Sequence, residues 1–217
     1  MAFIYNKNNY TPPNILNNDD IKLSNYFDEN DLKNSNNKLL ISDKGLYSIS
    51  KPIDANWITN TIVKFINDDP SNFTITDITG GLGGNIINFS KKFKFVYGIE
   101  FDKVHFDLLK NNLNVLNLNN TNIIHANAYN VINNIQSDII FIDPPWGGKF
   151  YKDFNNFFLK LGKLPISYII NRFYNNKIKY VALKAPFNVN LNVILKSVLY
   201  KNFNVYKKNH ILLLIFY

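Results

Sequence analysis

From Phe73 onward, short apolar runs alternate with amphipathic or polar-faced segments, and this alternation constrains the fold more than any other feature of the chain. "FTITDIT", "FKFVYGIE", "NIIHAN", "SDIIFID" and "KIKYVALKAP" read as strands, being short, rich in β-branched and aromatic residues, and bounded by Gly, Asn, Asp or Pro. Between them lie helical segments. "NIINFSKK" is one, and "DKVHFDLLKNNLNVLNL" is another, with Asp102 at its start and Leu109, Leu113 and Leu116 along one side. Two more are expected near 151–161 and 189–199. Strands separated by helices cannot pair as hairpins, so they specify a parallel sheet covered on both faces. The last two strands, "NFNVY" and "HILLLIFY", are joined only by "KKN" and form an antiparallel hairpin.

The expected fold is α/β: a Rossmann-like, doubly wound, mostly parallel seven-stranded sheet with a C-terminal antiparallel hairpin, spanning residues 71–217. Residues 1–70 are expected to form an N-terminal arm with helices packed on that core. One short helix falls near 21–32, after the breaker "TPPN" at Thr11 to Asn14. A second, amphipathic helix carries Trp57, Ile58, Ile62, Phe65 and Ile66.

Composition narrows the function classes. A chain of 217 residues with 46% hydrophobic and 15% aromatic content has material for one well-filled core. The absence of cysteine removes disulfides, thiolate zinc sites and a cysteine nucleophile, and suits a reducing, intracellular setting, cytoplasmic or nuclear. His105, His125 and His210 stand alone, so no metal site is expected. No apolar run reaches the ~20 residues of a membrane span, and no secretory leader opens the chain. Asparagine abundance reads as neutral filler.

Charge is unevenly placed. Residues 1–70 hold seven basic and nine acidic side chains, residues 71–143 five and six, and residues 144–217 twelve and one. The basic C-terminal third is expected to meet a phosphate-rich partner, capped RNA or another nucleic acid, with a merely solvated lysine face as the alternative.

Two motifs carry the chemistry. In "DITGGLGGN" (Asp77 to Asn85) a strand feeds a glycine cluster that opens a helix. The spacing differs from G-x-G-x-x-G, and Asp77 would repel a pyrophosphate, so a zwitterionic or cationic ligand fits better. The next strand ends in Glu100, placed to accept hydrogen bonds from a ribose, and the third in Asn127, able to read an adenine edge. Together these strand ends describe a pocket for adenosine with a cationic amino-acid tail, for which S-adenosylmethionine is the obvious candidate.

The second motif is "DPPWGG" after the fourth strand. Two prolines fix the direction of the Asp143 side chain and the Pro144 carbonyl, both acceptors. They could hold the two hydrogens of an exocyclic amine and aim its lone pair at a methyl sulfonium. Trp146 offers a stacking platform, and Gly147 and Gly148 leave room for a base.

At these residues the chain resembles the class I S-adenosylmethionine-dependent methyltransferases and, more narrowly, the trimethylguanosine synthase family, which methylates the exocyclic N2 of a 7-methylguanosine RNA cap. That family's D-x-x-x-G-x-G-G-N motif is matched by Asp77, Gly81, Gly83, Gly84 and Asn85, and its S-P-P-W-G-G signature from Pro144 to Gly148. "GLYSISKP" (Gly45 to Pro52) loosely echoes an upstream family segment. The resemblance runs from about Leu40 to the C-terminus.

The candidate catalytic residues are Asp143, Pro144, Pro145 and Trp146. The candidate cofactor contacts are Asp77, Thr79, Gly81, Gly83, Asn85, Glu100, Phe101, Asn127, Ala128 and Asp143, of which the resemblance implies Asp77, Gly81, Gly83, Glu100 and Asn127. Tyr47 and Ser48 would close over the site, and Trp146 would stack on the base. Lys149, Tyr151, Lys152, Lys184 and Asn188 are candidate substrate contacts near the entrance. Where the family has serine, this chain has Asp143, a pattern of enzymes acting on adenine N6 or guanine N2 in RNA or DNA. An internal-base methyltransferase is therefore an alternative, and a catalytically silent RNA-binding or partner subunit a lesser one.

Overall fold

The computed structural model describes residues 13–153 and 155–217, the side chains of residues 149 and 150 excepted. Its strands are β1 (Ile15–Leu16), β2 (Ile41–Ser42), β3 (Thr74–Asp77), β4 (Phe95–Glu100), β5 (Thr121–His125), β6 (Ile139–Ile142), β7 (Lys160–Leu161), β8 (Leu164–Pro165), β9 (Tyr180–Pro186), β10 (Phe203–Lys208) and β11 (Ile211–Phe216). Its helices are α1 (Glu29–Asn34), α2 (Pro52–Ile66), α3 (Gly84–Ser90), α4 (Lys103–Val115), α5 (Ala128–Val131), α6 (Ile166–Asn175) and α7 (Leu191–Ser197).

Seven strands form one sheet in the order β10-β11-β9-β6-β3-β4-β5. Pairings from β9 through β5 are parallel, while β11 runs antiparallel to both β9 and β10. The expected doubly wound sheet with a terminal hairpin is the fold observed. After β5 the chain returns to the other side of β3, so β3 and β6 flank the point where strand order reverses. Ligands in open α/β sheets bind in the crevice at that point, beyond the carboxyl ends of the strands.

Strand periodicity sorts side chains into two cores. Ile139, Phe141 and Ala182 join one cluster with residues of α2, α3 and α4, and Leu23, Phe27, Leu39 and Ile41 belong to the same cluster. Ile140, Ile142, Val181 and Leu183 join the other, under α6 and α7. The N-terminal segment is thus built into the first core. Asn112 on α4 clips it in place: its Oδ1 accepts from Leu40 N and its Nδ2 donates to Leu40 O, both at 2.9 Å. This fully buried amide stands in for a strand neighbour to Leu40.

Three expectations need correction or limits. The helix near 21–32 is instead a 3-10 turn at Leu23–Asn25 followed by α1. Asp28 starts α1 by accepting from Asn30 N, and Asn36 and Asn37, at φ 50° and 57°, lie just past its end. Among the described residues of 151–161 there is no α-helix: Gly148–Asp153 is a 3-10 stretch, and Asn156 takes φ 60°. The helix on this face is α6, which burial of Ile166, Ile169, Ile170 and Phe173 at helical spacing drives. Of the "TPPN" breaker, Thr11 and Pro12 lie outside the described residues. Among the described residues no helix is long and apolar enough to cross a membrane.

Candidate active site

The site grows out of strand periodicity. Asp77 lies two residues beyond Ile75 on β3, Asp143 two beyond Phe141 on β6, and Lys184 two beyond Ala182 on β9. All three therefore share the sheet face of the first core, at the carboxyl ends of adjacent parallel strands.

Asp77 is 1% exposed. Its Oδ1 accepts from Thr79 N and Thr79 Oγ1, both at 2.9 Å. Its Oδ2 is buried and has no hydrogen-bond partner among the described residues. Burial pushes this carboxyl up to about 7, against the pull of the two Thr79 hydrogen bonds, with repulsion from Asp143 and Glu100 adding to the rise. Thr79 Oγ1 also accepts from Asp143 N at 2.7 Å, which joins the two strand ends.

Asp143 has different company. Lys184 Nζ donates to its Oδ2 at 2.7 Å and to Ser50 Oγ at 2.8 Å, and Ser50 Oγ lies 3.3 Å from the same Oδ2. Asn85 Nδ2 donates to Ser50 Oγ at 3.0 Å. Ammonium and amide nitrogens only donate, so the single Ser50 proton goes to Asp143. Burial raises the Asp143 carboxyl, while the Lys184 charge and the hydrogen bonds from Lys184 and Ser50 hold it down in part.

The glycine turn is fixed against β4. Gly80 N donates to Ile99 O at 2.8 Å, and the Glu100 carboxylate takes Gly81 N and Asp102 N, each at 2.7 Å. A Cβ on Gly84 would lie 2.4 Å from Ser50 O, so only glycine lets the segment before α2 come this close. Ser50 reaches the site through that approach.

The proline turn follows β6. Pro144 is buried and Pro145 exposed, while Gly147 and Gly148 turn the chain at φ 83° and 76°. The Trp146 ring meets Tyr151 edge-on at 5.1 Å, with Lys184 Nζ 5.2 Å from its centroid. The indole Nε1 is buried without a hydrogen-bond partner among the described residues. Burial raises the Tyr151 hydroxyl. Asn188 Nδ2 donates to Tyr151 O at 2.7 Å, which ties the loop after β9 to the turn.

Several expected positions turn out differently. Lys184 is not an entrance lysine: it is 7% exposed and ion-paired to Asp143. Tyr47 is 81% exposed, and Ser48 Oγ turns back to Gly45 O at 3.5 Å, so Ser50 is the residue of this segment that enters the site. Asn127 spends its Oδ1 on capping α5 through Tyr129 N, which leaves its Nδ2 for an adenine edge, and Ala128 is buried behind it. Phe101 is 71% exposed beside Glu100. Lys152 is exposed, and the Lys149 side chain lies outside the described residues. Ser50 and the Asp143–Lys184 pair were missed by motif reading. The signal was present, since a lysine inside the apolar run "YVALKAP" must find a partner if the strand is central.

Asp77 Oδ2 and Asn85 Oδ1 are both buried acceptors without a hydrogen-bond partner among the described residues, and both flank the glycine turn. Such a site fits a ligand bearing an amine or a cation, as the amino-acid end of S-adenosylmethionine does. Among the described residues no cluster could hold a metal ion.

This strand order, with the acid and glycine turn at β3, defines a class I S-adenosylmethionine-dependent methyltransferase. Solved structures share the fold at low identity. A precorrin-6y C5,15-methyltransferase of Geobacter metallireducens superposes with TM-score 0.56 at 14% identity, covering 77% of this chain and 87% of that one. The T. thermophilus 16S rRNA guanosine-N2 methyltransferase RsmC, in complex with AdoMet and guanosine, superposes with TM-score 0.57 at 13% identity, covering 75% and 42%. An uncharacterized protein of Acanthamoeba polyphaga mimivirus is 29% identical over 196 residues, 78% of this chain and 77% of its own. The family model described as RNA cap guanine-N2 methyltransferase matches residues 73–213, and the chain belongs to that family.

Proposed function

We propose that this methyltransferase moves a methyl group from S-adenosylmethionine to the exocyclic N2 amine of a 7-methylguanosine RNA cap. The observation that carries the reading is the turn from Pro144 to Gly148, which sets the Trp146 ring against Tyr151 and over the Lys184 ammonium that pairs with Asp143. Asp77 and Asn85 would hold the amino-acid end of the cofactor, and Glu100 and Asn127 its ribose and adenine. The cofactor, when bound, supplies an electrophilic methyl group on a sulfonium.

An exocyclic amine is a weak nucleophile because its lone pair is delocalised into the base. Asp143 Oδ1 and the Pro144 carbonyl accept its two N–H groups and turn the lone pair toward the methyl carbon. The cofactor, held by Asp77, Asn85, Glu100 and Asn127, would supply the methyl carbon for the new N–C bond and keep the C–S electron pair on sulfur, and the surplus amine proton would leave past Asp143 Oδ1 to solvent. Alignment of this kind is worth up to ~7–11 kcal/mol. Stacking of the base on Trp146 contributes ~1–3 kcal/mol, so positioning outweighs it. A cationic base would gain ~0.5–2 kcal/mol from the ring, toward the low end here because Lys184 already draws on the same π system.

Radiolabelled methyl transfer to 7-methyl-GTP, with none to GTP, is the expected result. Transfer confined to an adenine-containing oligonucleotide would overturn the cap reading. A second reading, guanine N2 or adenine N6 in an internal base, is favoured by one observation, the acid at Asp143.

A further inference from the structure

Asp143 and Asp77 both stand at the carboxyl ends of adjacent strands, yet among the described residues a buried ammonium attends only Asp143. We infer that Lys184, with Ser50, occupies Asp143 Oδ2 with proton donors, so that Oδ1 alone faces the acceptor amine, and that Lys184 is the positioning residue that keeps Oδ1 unprotonated at neutral pH. The inference rests on the methyl-transfer reading for the identity of the amine.

Oδ2 receives two donors, Lys184 Nζ at 2.7 Å and the Ser50 hydroxyl at 3.3 Å. A proton there would face another proton in both directions, so Oδ2 carries none. Oδ1 makes no hydrogen bond among the described residues. Any proton that Asp143 takes up must therefore sit on Oδ1, the atom the amine needs as an acceptor. A protonated Oδ1 opposes an N–H donor with an O–H donor, and the amine loses its alignment.

The charged and titratable groups around Asp143 come from three strands and the turn: Lys184 on β9, Asp77 on β3 with Glu100 on β4 beyond it, and Tyr151 behind Trp146. All but Lys184 are acids, and the burial that raises the Asp143 carboxyl is opposed by the Lys184 charge and by the hydrogen bonds from Lys184 and Ser50. Asp77 is the internal comparison. With two hydrogen bonds from Thr79 and, among the described residues, no cation against it, it is pushed up to about 7. Ser50 adds a second consequence. It lies in the segment just before α2 and Asn85 lies on the glycine-turn helix, so the N-terminal segment and the cofactor side both help fix Oδ2.

The test is the pH dependence of kcat in Lys184→Met, measured with cofactor and acceptor saturating so that Asp77 titration falls on cofactor affinity instead. The acid limb should move to higher pH by about one unit or more, with kcat lost below the new limb and recovered above it. A kcat lowered equally at every pH is what a merely structural role gives, and it overturns the inference. Should Lys184→Met not fold, Ser50→Ala removes the weaker donor and should shift the limb in the same direction by less; an unmoved limb there overturns the inference equally. Carbon-13 NMR titration of the Asp143 carboxyl, assigned with Asp143→Asn, reads the same quantity without turnover. It should move upward in Lys184→Met, and an unmoved titration contradicts the inference. A wild-type protein inactive on every guanine acceptor would instead overturn the functional reading, and the NMR result would still decide the role of Lys184.

Discussion

Two aspartates close two neighbouring strands of this sheet, joined through one threonine hydroxyl, and among the described residues only one of them has a counter-ion. Asp77, at the glycine turn, is nearly occluded, with one oxygen unpartnered and no cation against it among the described residues. Asp143, at the proline turn after β6, has Lys184 and Ser50 on one oxygen. Desolvation is the leading influence on both, so the contrast lies in what opposes it. An acid left short of partners waits for a ligand to complete it. An acid already paired is held in a set direction for chemistry.

The largest effect expected from breaking this contrast comes from Asp143→Ala. Methyl transfer should fall by at least ~10²-fold in kcat with cofactor affinity largely kept, as when one oriented polar partner of a transition state is lost. The variant also leaves Lys184 buried and unpaired, which should cost about 3–5 kcal/mol in chemical denaturation. Wild-type turnover would remove Asp143 from the mechanism.

Next in size is Asp77→Asn. Cofactor binding by calorimetry should weaken by about 10–100-fold, because a neutral amide pairs less well with a cationic amine. The free protein should respond in the opposite sense. Folding raises the Asp77 carboxyl from 3.8 to about 7, so the stability linked to its protonation is fully present below 3.8 and lost as pH rises through 7. Asp77→Asn should abolish that decline and stabilise the free protein above pH 7 by on the order of 2–4 kcal/mol. A denaturation series from pH 4 to 8 with the wild-type slope retained would show that Asp77 is not the buried acid it is taken to be.

A smaller effect belongs to the acceptor side alone. Trp146→Ala should raise KM for a cap analogue by about ten-fold, within the ~1–3 kcal/mol of base stacking, and leave cofactor affinity nearly unchanged. Equal losses for both ligands would make Trp146 a core residue. The smallest is a control outside the contrast. Asn112→Ala, which strands the Leu40 backbone groups, should cost about 1–3 kcal/mol of stability without changing its pH dependence.

Much of the fold was legible in the sequence because each parallel strand is a short apolar run ended by a polar residue, and those end residues are the site. Asp77, Glu100, Asn127 and Asp143 could each be read as a strand terminus. The region after the turn was not legible, because its Asn-rich segment has no period and the helix that follows starts without a side-chain cap after Pro165. The Asp143–Lys184 pair was hidden for another reason. It joins residues 41 positions apart that meet only once β6 and β9 pair in parallel register. The alternation that placed Ala182 under α2 and α3 would have turned Lys184 to the same face. Ser50 was hidden because its entry depends on the missing Cβ of Gly84, a steric fact that no spacing displays.

The position of the transferred methyl group is the most direct test of the account. After reaction of 7-methyl-GTP with S-adenosylmethionine, mass spectrometry and proton NMR of the product should find the new methyl on the exocyclic N2 of guanine. A methyl on any other atom, or none on guanine while an adenine amine is methylated, would contradict the geometry assigned here to Asp143, Pro144 and Trp146.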